Sequence, residues 1–298
     1  MKWEYLREEE FGPAIKSSGG VCVMAVGCLE KHGQHLPVGT DSIKGDKIVE
    51  LAAEKAGVMM FPTTMWLGDV TASHSFVNAD KTRKLGFIGI SSRTLLTVFE
   101  ELCDEIARNG FKKIILCSSH GGNSSILSIL NRSHFYTKKD YSILVTRAYD
   151  FTGDLVPENM LKRVKEDPEY FSMLTEEDIK TLEHWAETGT GGGHADFRET
   201  GLVYGTYPHL VKPERFDAES GQRINRLVIP DKFGMGGSYQ MYLTNNKNVY
   251  GGYPPFGCTE TIGQAMVKMS VDRLAEIFEY FKTYDDIVTT MHELNEEQ

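Results

Sequence analysis

No stretch of this sequence approaches the roughly 20 consecutive apolar residues that a helix needs to cross a bilayer. The first ten residues are charged and offer no apolar leader core. Excess positive charge is missing too: 32 Lys and Arg stand against 42 Asp and Glu, a formal net charge of −10. A chain this acidic is poorly suited to a phosphate backbone, and no basic stripe with interleaved aromatics offsets that. The expectation is therefore no nucleic-acid partner and no membrane partner. Cysteine is sparse and lacks pairing patterns. The five residues Cys22, Cys28, Cys103, Cys117 and Cys258 are odd in number and show no Cys-x-x-Cys spacing. A disulfide framework or zinc knot is excluded, and a reducing cytoplasm fits best. Repeats, low-complexity tracts and dividing linkers are also absent. The expected organisation is a single domain over residues 1–298, with an insertion at about 150–187.

What is present is an ordinary globular composition, 41% hydrophobic and 25% charged, enough for a sizeable core. Short apolar runs read as buried strands at 21–26, 58–61, 113–118 and 141–148. Between them, helical spacing appears over 43–56, 92–109 and 124–135. Thr175-Glu-Glu-Asp178 resembles a capping box that opens a helix through Ala186, and a long helix runs over 259–282. Residues 229–257 read as loops with a possible hairpin. Strands alternating with helices predict an α/β fold with a mostly parallel sheet, whose ligand site lies beyond the carboxyl ends of its strands.

Two polar constellations directly follow predicted strands. The first is Glu30-Lys-His32-Gly-Gln-His35-Leu-Pro-Val-Gly-Thr-Asp41. Carboxylates mixed with imidazoles suit Zn, Mn or Fe better than Ca or Mg. In an extended segment Glu30 and His32 share one side, because side chains alternate. The second is His120-Gly-Gly-Asn123, where the glycines let backbone approach a ligand and Asn123 is placed to cap the next helix. The phosphate-loop pattern is absent from it. A third, His194-Ala-Asp-Phe-Arg-Glu199-Thr200, follows a glycine run and offers a proton-transfer histidine with a further carboxylate. A lone Glu-x-His is more often a solvated polar loop, but the Gly and Pro spacing and the later Asp41 reverse that preference for the first piece; the second alone is more often an ordinary strand-to-helix turn.

Together, and in this order, the three motifs resemble the creatininase family. The resemblance extends from about Val21 to the final helix. It implies a three-layer α/β/α fold, a homo-oligomer that is often a hexamer, and hydrolysis of cyclic amides, formamides or peptide-like bonds at two divalent metal ions (Zn, Mn or Fe). Carried over by position, Glu30 and His120 hold one metal, His32 the other, and Asp41 bridges them. His194 matches the catalytic histidine. The family's namesake has Tyr-Glu after the strand-end histidine, and that glutamate is a ligand. Here Gly121-Gly122 stands in its place, so Glu199 becomes the replacement candidate, as both metal ligand and catalytic group. The namesake's substrate-contacting tryptophan is also missing, with Thr190 near that place, which points away from creatinine as the substrate.

The implied chemistry is attack of a bridging hydroxide on an amide carbonyl of a small molecule, with His194 protonating the leaving nitrogen. Two alternatives remain at this stage: a metal-dependent isomerase or lyase acting on a modified sugar, and a noncatalytic metabolite-binding protein on the same fold. His74 is a further site candidate and His35 a residue that orients a ligand. His134, His184, His209 and His292 read as surface residues. Cys28 has no partner that would make it a nucleophile.

Overall fold

β1 (Val21–Val26) is buried along its whole length in this computed structural model, which describes residues 1–70, 85–136, 139–219, 232 and 253–297. A strand turns successive side chains to opposite faces. Val21, Val23 and Ala25 accordingly enter one apolar cluster, and Cys22, Met24 and Val26 enter another. A strand apolar on both faces needs helices on both, and the chain supplies them in the three-layer α/β/α arrangement.

β1 pairs in parallel with β2 (Met59–Met60) and with β3 (Lys113–Ser118), which pairs in parallel with β4 (Ser142–Arg147). The order is β2-β1-β3-β4. α1 (Phe11–Ser17), α3 (Ser92–Arg108) and α4 (Asn123–Ser133) supply the cluster on one face. In α3 the stripe Leu95, Phe99, Cys103 and Ile106 is buried, and the Ser91 hydroxyl caps the first turn by accepting from the Thr94 N–H. The other face draws on α2 (Thr40–Ala56), α5 (Pro157–Glu166), α6 (Glu176–Thr188), α7 (Phe197–Thr206) and α8 (Glu260–Thr283). The expected capping box opens α6, with Thr175 and Asp178 each bonded to the other's backbone. α9 (Asp286–Glu296) follows α8. No helix among the described residues is long and apolar enough to cross a membrane.

Three local expectations change. α2 starts at Thr40, so Asp41 lies in its first turn and not in the preceding loop; a carboxylate is favoured there by the helix's free N–H groups. Asn123 does not cap α4. Its amide instead bonds the carbonyls of Val26 and Gly27 and accepts from the Asp69 N–H, tying the end of β1 to the chain after β2. His134 is buried, facing the Tyr141 carbonyl. His74 and most of 229–257 lie outside the described residues, as does the side chain of His292.

α7, which carries Glu199, seats on α8 through glycines. A Cβ on Gly263 would overlap the backbone of Gly201 and Gly205. Gly263→Ala should therefore force the two helices apart at a cost of about 1–3 kcal/mol. Thermal denaturation checks this: the expected result is a lower Tm with an unchanged fold.

Candidate metal centre

The polar motifs converge at the carboxyl ends of β1 and β3. The segment after β1 carries Glu30 and His32, both buried, while Lys31 between them turns outward to pair with Glu219. This is the alternation expected of extended chain. α2 contributes Asp41 from its first turn, and His120 stands just past β3. His194 and Glu199 come from the turn before α7 and from its first turn. Ala195 between them adopts φ 55°. That left-handed conformation is uncommon for a residue with a Cβ. It lets the Ala195 N–H donate to Glu199 Oε2 at 2.7 Å.

Three histidines share one arrangement. His120 Nε2 faces the Asp69 carbonyl at 2.8 Å, His194 Nε2 the Lys31 carbonyl at 2.8 Å, and His32 Nδ1 the Glu30 carbonyl at 3.2 Å. A carbonyl only accepts, so each outer nitrogen is the protonated one. The inner nitrogens then face carboxylates. His120 Nδ1 is 3.1 Å from Asp41 Oδ2 and 3.3 Å from Glu30 Oε1. His32 Nε2 is 3.4 Å from Glu199 Oε2, 3.5 Å from Asp41 Oδ2 and 3.8 Å from Glu30 Oε1. His194 Nδ1 is 3.5 Å from Glu30 Oε1 and 3.8 Å from Glu199 Oε2. His32 Nε2 is buried and makes no hydrogen bond of acceptable geometry. Gly122 serves this arrangement as well: a Cβ there would press on the His120 ring and the Asp69 carbonyl. Its lack of a side chain makes room for the orienting bond, not for a ligand.

Lone pairs aimed at carboxylates need a cation between them, whether protons or a metal. Donor atoms of Cys28, Glu30, Asp41 and His120 lie within 4.8 Å of one another, and so do those of His32, Asp41 and Glu199. The residues fit a pair of divalent ions with Asp41 common to both groups. Protons are the other solution. Burial alone would lower the His32 pKa, but Asp41 and Glu199 outweigh it and raise it to about 10. Against the same burial penalty, Glu30 and other neighbours hold His120 well above its ordinary value. The raised value puts a proton on the His32 ring at pH 7 when metal is absent, and a metal must displace it. Titrating metal-free protein with Zn²⁺ near pH 7, in buffers of different ionisation enthalpy, should show proton release to the buffer. Calorimetric heats that do not depend on the buffer would contradict this.

The sequence reading missed Lys44 and Tyr149. Lys44 is wholly buried, with Nζ 2.6 Å from Asp41 Oδ1 and 2.7 Å from Glu199 Oε1. The Tyr149 hydroxyl lies 3.0 Å from the Ser119 carbonyl and 3.4 Å from Glu199 Oε1. A signal for Lys44 did exist: it stands three residues after Asp41 and four before Ile48, on the apolar side of α2. Burial would raise the Asp41 and Glu199 pKa values, but Lys44 and His32 outweigh it and hold both well below the usual carboxylate range. Cys28 Sγ sits 3.2 Å from Asp41 Oδ2, and burial pushes its thiol well up, as expected of a group that is not a nucleophile. His35 is not aimed at the carboxylates; its Nε2 faces the Thr200 hydroxyl at 3.1 Å, next to Glu199. A cavity of about 430 Å³ reaches Gly193, one residue before His194, and is lined as well by Val156, Glu158, Trp185, Thr190 and Tyr253.

A family model described as creatininase, creatinine amidohydrolase, matches residues 4–278. A creatinine amidohydrolase of Pseudomonas putida is 22% identical over 212 residues, which cover 70% of this chain and 72% of that protein. A crystal structure of creatinine amidohydrolase superposes with a TM-score of 0.67 at 18% identity, covering 95% of this chain and 98% of the other. A mutant creatininase of Zn–Zn type gives a TM-score of 0.61 at 16% identity, over 95% of this chain and 98% of its own.

Proposed function

The chain belongs to the creatininase family, and from that premise we propose that it is a metal-dependent amidohydrolase that breaks a C–N bond of a small molecule other than a peptide. Glu30, Asp41 and His120 would hold one divalent ion, and His32, Asp41 and Glu199 the other, with Asp41 shared. One observation carries this reading. Three histidines keep their outer nitrogens on backbone carbonyls and turn their inner nitrogens toward the same carboxylates. The Zn–Zn form of the creatininase relative is consistent with two ions, and the nitrogen and oxygen donors admit Zn, Mn or Fe.

Two ions bound there would polarise an amide carbonyl and lower the pKa of a water in the site. The remaining work falls to side chains. His194 is the most exposed of the three rings, its side chain 17% accessible against 0% and 6% for His32 and His120. It lies one residue from the glycine run that lines the cavity. Because Nε2 is committed to the Lys31 carbonyl, Nδ1 is the nitrogen that would take a proton from water and return it to the departing nitrogen. Glu199, fixed by Lys44 and the Ala195 N–H, stays ionised, which suits a ligand better than a proton carrier. The cavity has room for a small molecule. Thr190 and Trp185 both line the cavity, and because Thr190 falls, by sequence, near the place of the namesake's substrate tryptophan, a small amide other than creatinine is the first choice of substrate.

The experiment is a turnover screen of metal-loaded protein against lactams, formamides and small amides, read by mass spectrometry. Hydrolysis adds one water to the substrate. Turnover with unchanged mass would favour the isomerase alternative, and tight binding of a metabolite without turnover would favour the noncatalytic one. Light scattering tests the homo-oligomer, with the hexamer as the expected size.

A further inference from the structure

Asp196 is a buried carboxylate that the proposed metal centre does not use. It immediately precedes α7, is 1% exposed, and accepts the Gly193 N–H on Oδ2 at 2.6 Å. Its Oδ1 is enclosed as well and has no hydrogen-bond partner among the described residues. An enclosed acceptor without a donor is costly, and folded proteins keep few of them. The usual work of an aspartate at this position is to cap the helix. Asp196 makes no side-chain capping bond, and the Arg198 N–H, which such a cap would take, donates instead to the Gly191 carbonyl at 3.0 Å. Helix capping therefore does not account for Oδ1.

Asp196 stands in the wall of the cavity of about 430 Å³. The rest of that wall suits a cation. Trp185 and Tyr253 give it aromatic surface, Glu158 adds a second carboxylate, and among the described residues no lysine or arginine lines it. Arg198, close behind Gly192, is paired with Asp150. The Trp185 indole N–H is committed to the Phe256 carbonyl at 3.0 Å, so it does not serve Asp196. Carboxylates beside aromatic rings hold ammonium groups by charge-assisted hydrogen bonds and by attraction to the ring faces.

Resting on the amidohydrolase reading given above, we propose that the substrate carries an ammonium group whose N–H donates to Asp196 Oδ1, so that this carboxylate selects amino-bearing amides over neutral ones. Its other oxygen holds Gly193, the residue before His194, so charge recognition and the proposed proton transfer share one short segment. Burial, against the pull of the Gly193 N–H, pushes the carboxyl up to about 7, and a cation seated on Oδ1 returns it to the ionised form.

The test is binding to the protein as purified, read by ligand-observed NMR titration. Two matched pairs are used, butyramide against 4-aminobutyramide and valeramide against 5-aminovaleramide. The wild type should bind the amino member of each pair at least about tenfold more tightly, the worth of one charge-assisted hydrogen bond. Asp196→Asn keeps an acceptor for the Gly193 N–H and removes the charge. It should cut the preference to about twofold or less while Tm stays at the wild-type value. An aspartate that only braced the glycine run would instead lower Tm and weaken both members alike, and that result would overturn the proposal. Equal binding of both members by the wild type, or binding of neither, would overturn it without any variant. Crystals soaked with 4-aminobutyramide should place its nitrogen within hydrogen-bond reach of Asp196 Oδ1; a nitrogen seated elsewhere would also overturn it. Because the readout is binding, a protein that prefers the amino amides yet hydrolyses no amide would sustain this inference and overturn the amidohydrolase reading.

Discussion

Asp41→Asn should strip metal from both halves of the site and lower turnover by more than about 100-fold, the upper range for loss of a mere supporting partner. The reason is its central place. Oδ2 lies 3.1 Å from His120 Nδ1 and 3.5 Å from His32 Nε2, so it borders both groups of donors. Oδ1 meanwhile bonds Lys44 at 2.6 Å. Asparagine keeps the shape but loses the charge. Lys44 is then left with Glu199 alone, and breaking one arm of a buried ion pair costs on the order of 3 kcal/mol. The variant should fold, with a reduced Tm by circular dichroism, and should carry less metal by plasma mass spectrometry. A folded Asp41→Asn protein with full metal content and full activity would remove the shared ligand from the argument.

His194→Ala should behave in the opposite way. His194 stands outside both Asp41-centred groups, although its ring lies within 4.8 Å of donor atoms of Glu30 and His32; it approaches Glu30 and Glu199 from the more open side and packs on His32 with ring centroids 4.3 Å apart. Metal content should stay at the wild-type level, and kcat should fall by about 10²–10⁴-fold, the usual contribution of a proton-transfer group. The loss should shrink for amides whose leaving nitrogen is already acidic, because such a nitrogen departs without help. Equal losses across leaving groups would show that His194 binds or positions and does not transfer the proton.

The layers of the fold were legible because the strands are short, apolar and bounded by polar turns. Lys113–Ser118 was read to the residue. α3 and α8 were read nearly so, since their stripes and caps lie within the local sequence. The start of α2 was misjudged by a few residues because Pro37 and Gly39 look like loop, while the helix opens directly behind them at Thr40. Glu30, His32, Asp41, His120, His194 and Glu199 were chosen from three motifs, and folding brings their side chains to one place. Lys44 and Tyr149 were not found, because what matters about them is non-local. Lys44 meets Glu199 across 155 positions, and Tyr149 meets it across 50. A lysine on a helix usually reads as solvent-facing, and only the fold shows this one enclosed. His134 escaped for the same reason, its partner being a carbonyl in the next strand.

Crystals soaked with Zn²⁺ or Mn²⁺ and measured above each metal's absorption edge test the central claim most directly. The expected result is anomalous density about 2.0–2.2 Å from carboxylate and imidazole atoms of Glu30, Asp41 and His120, with a second peak among His32, Asp41 and Glu199. Ordered histidines and carboxylates with no anomalous density between them, under saturating metal, would contradict it.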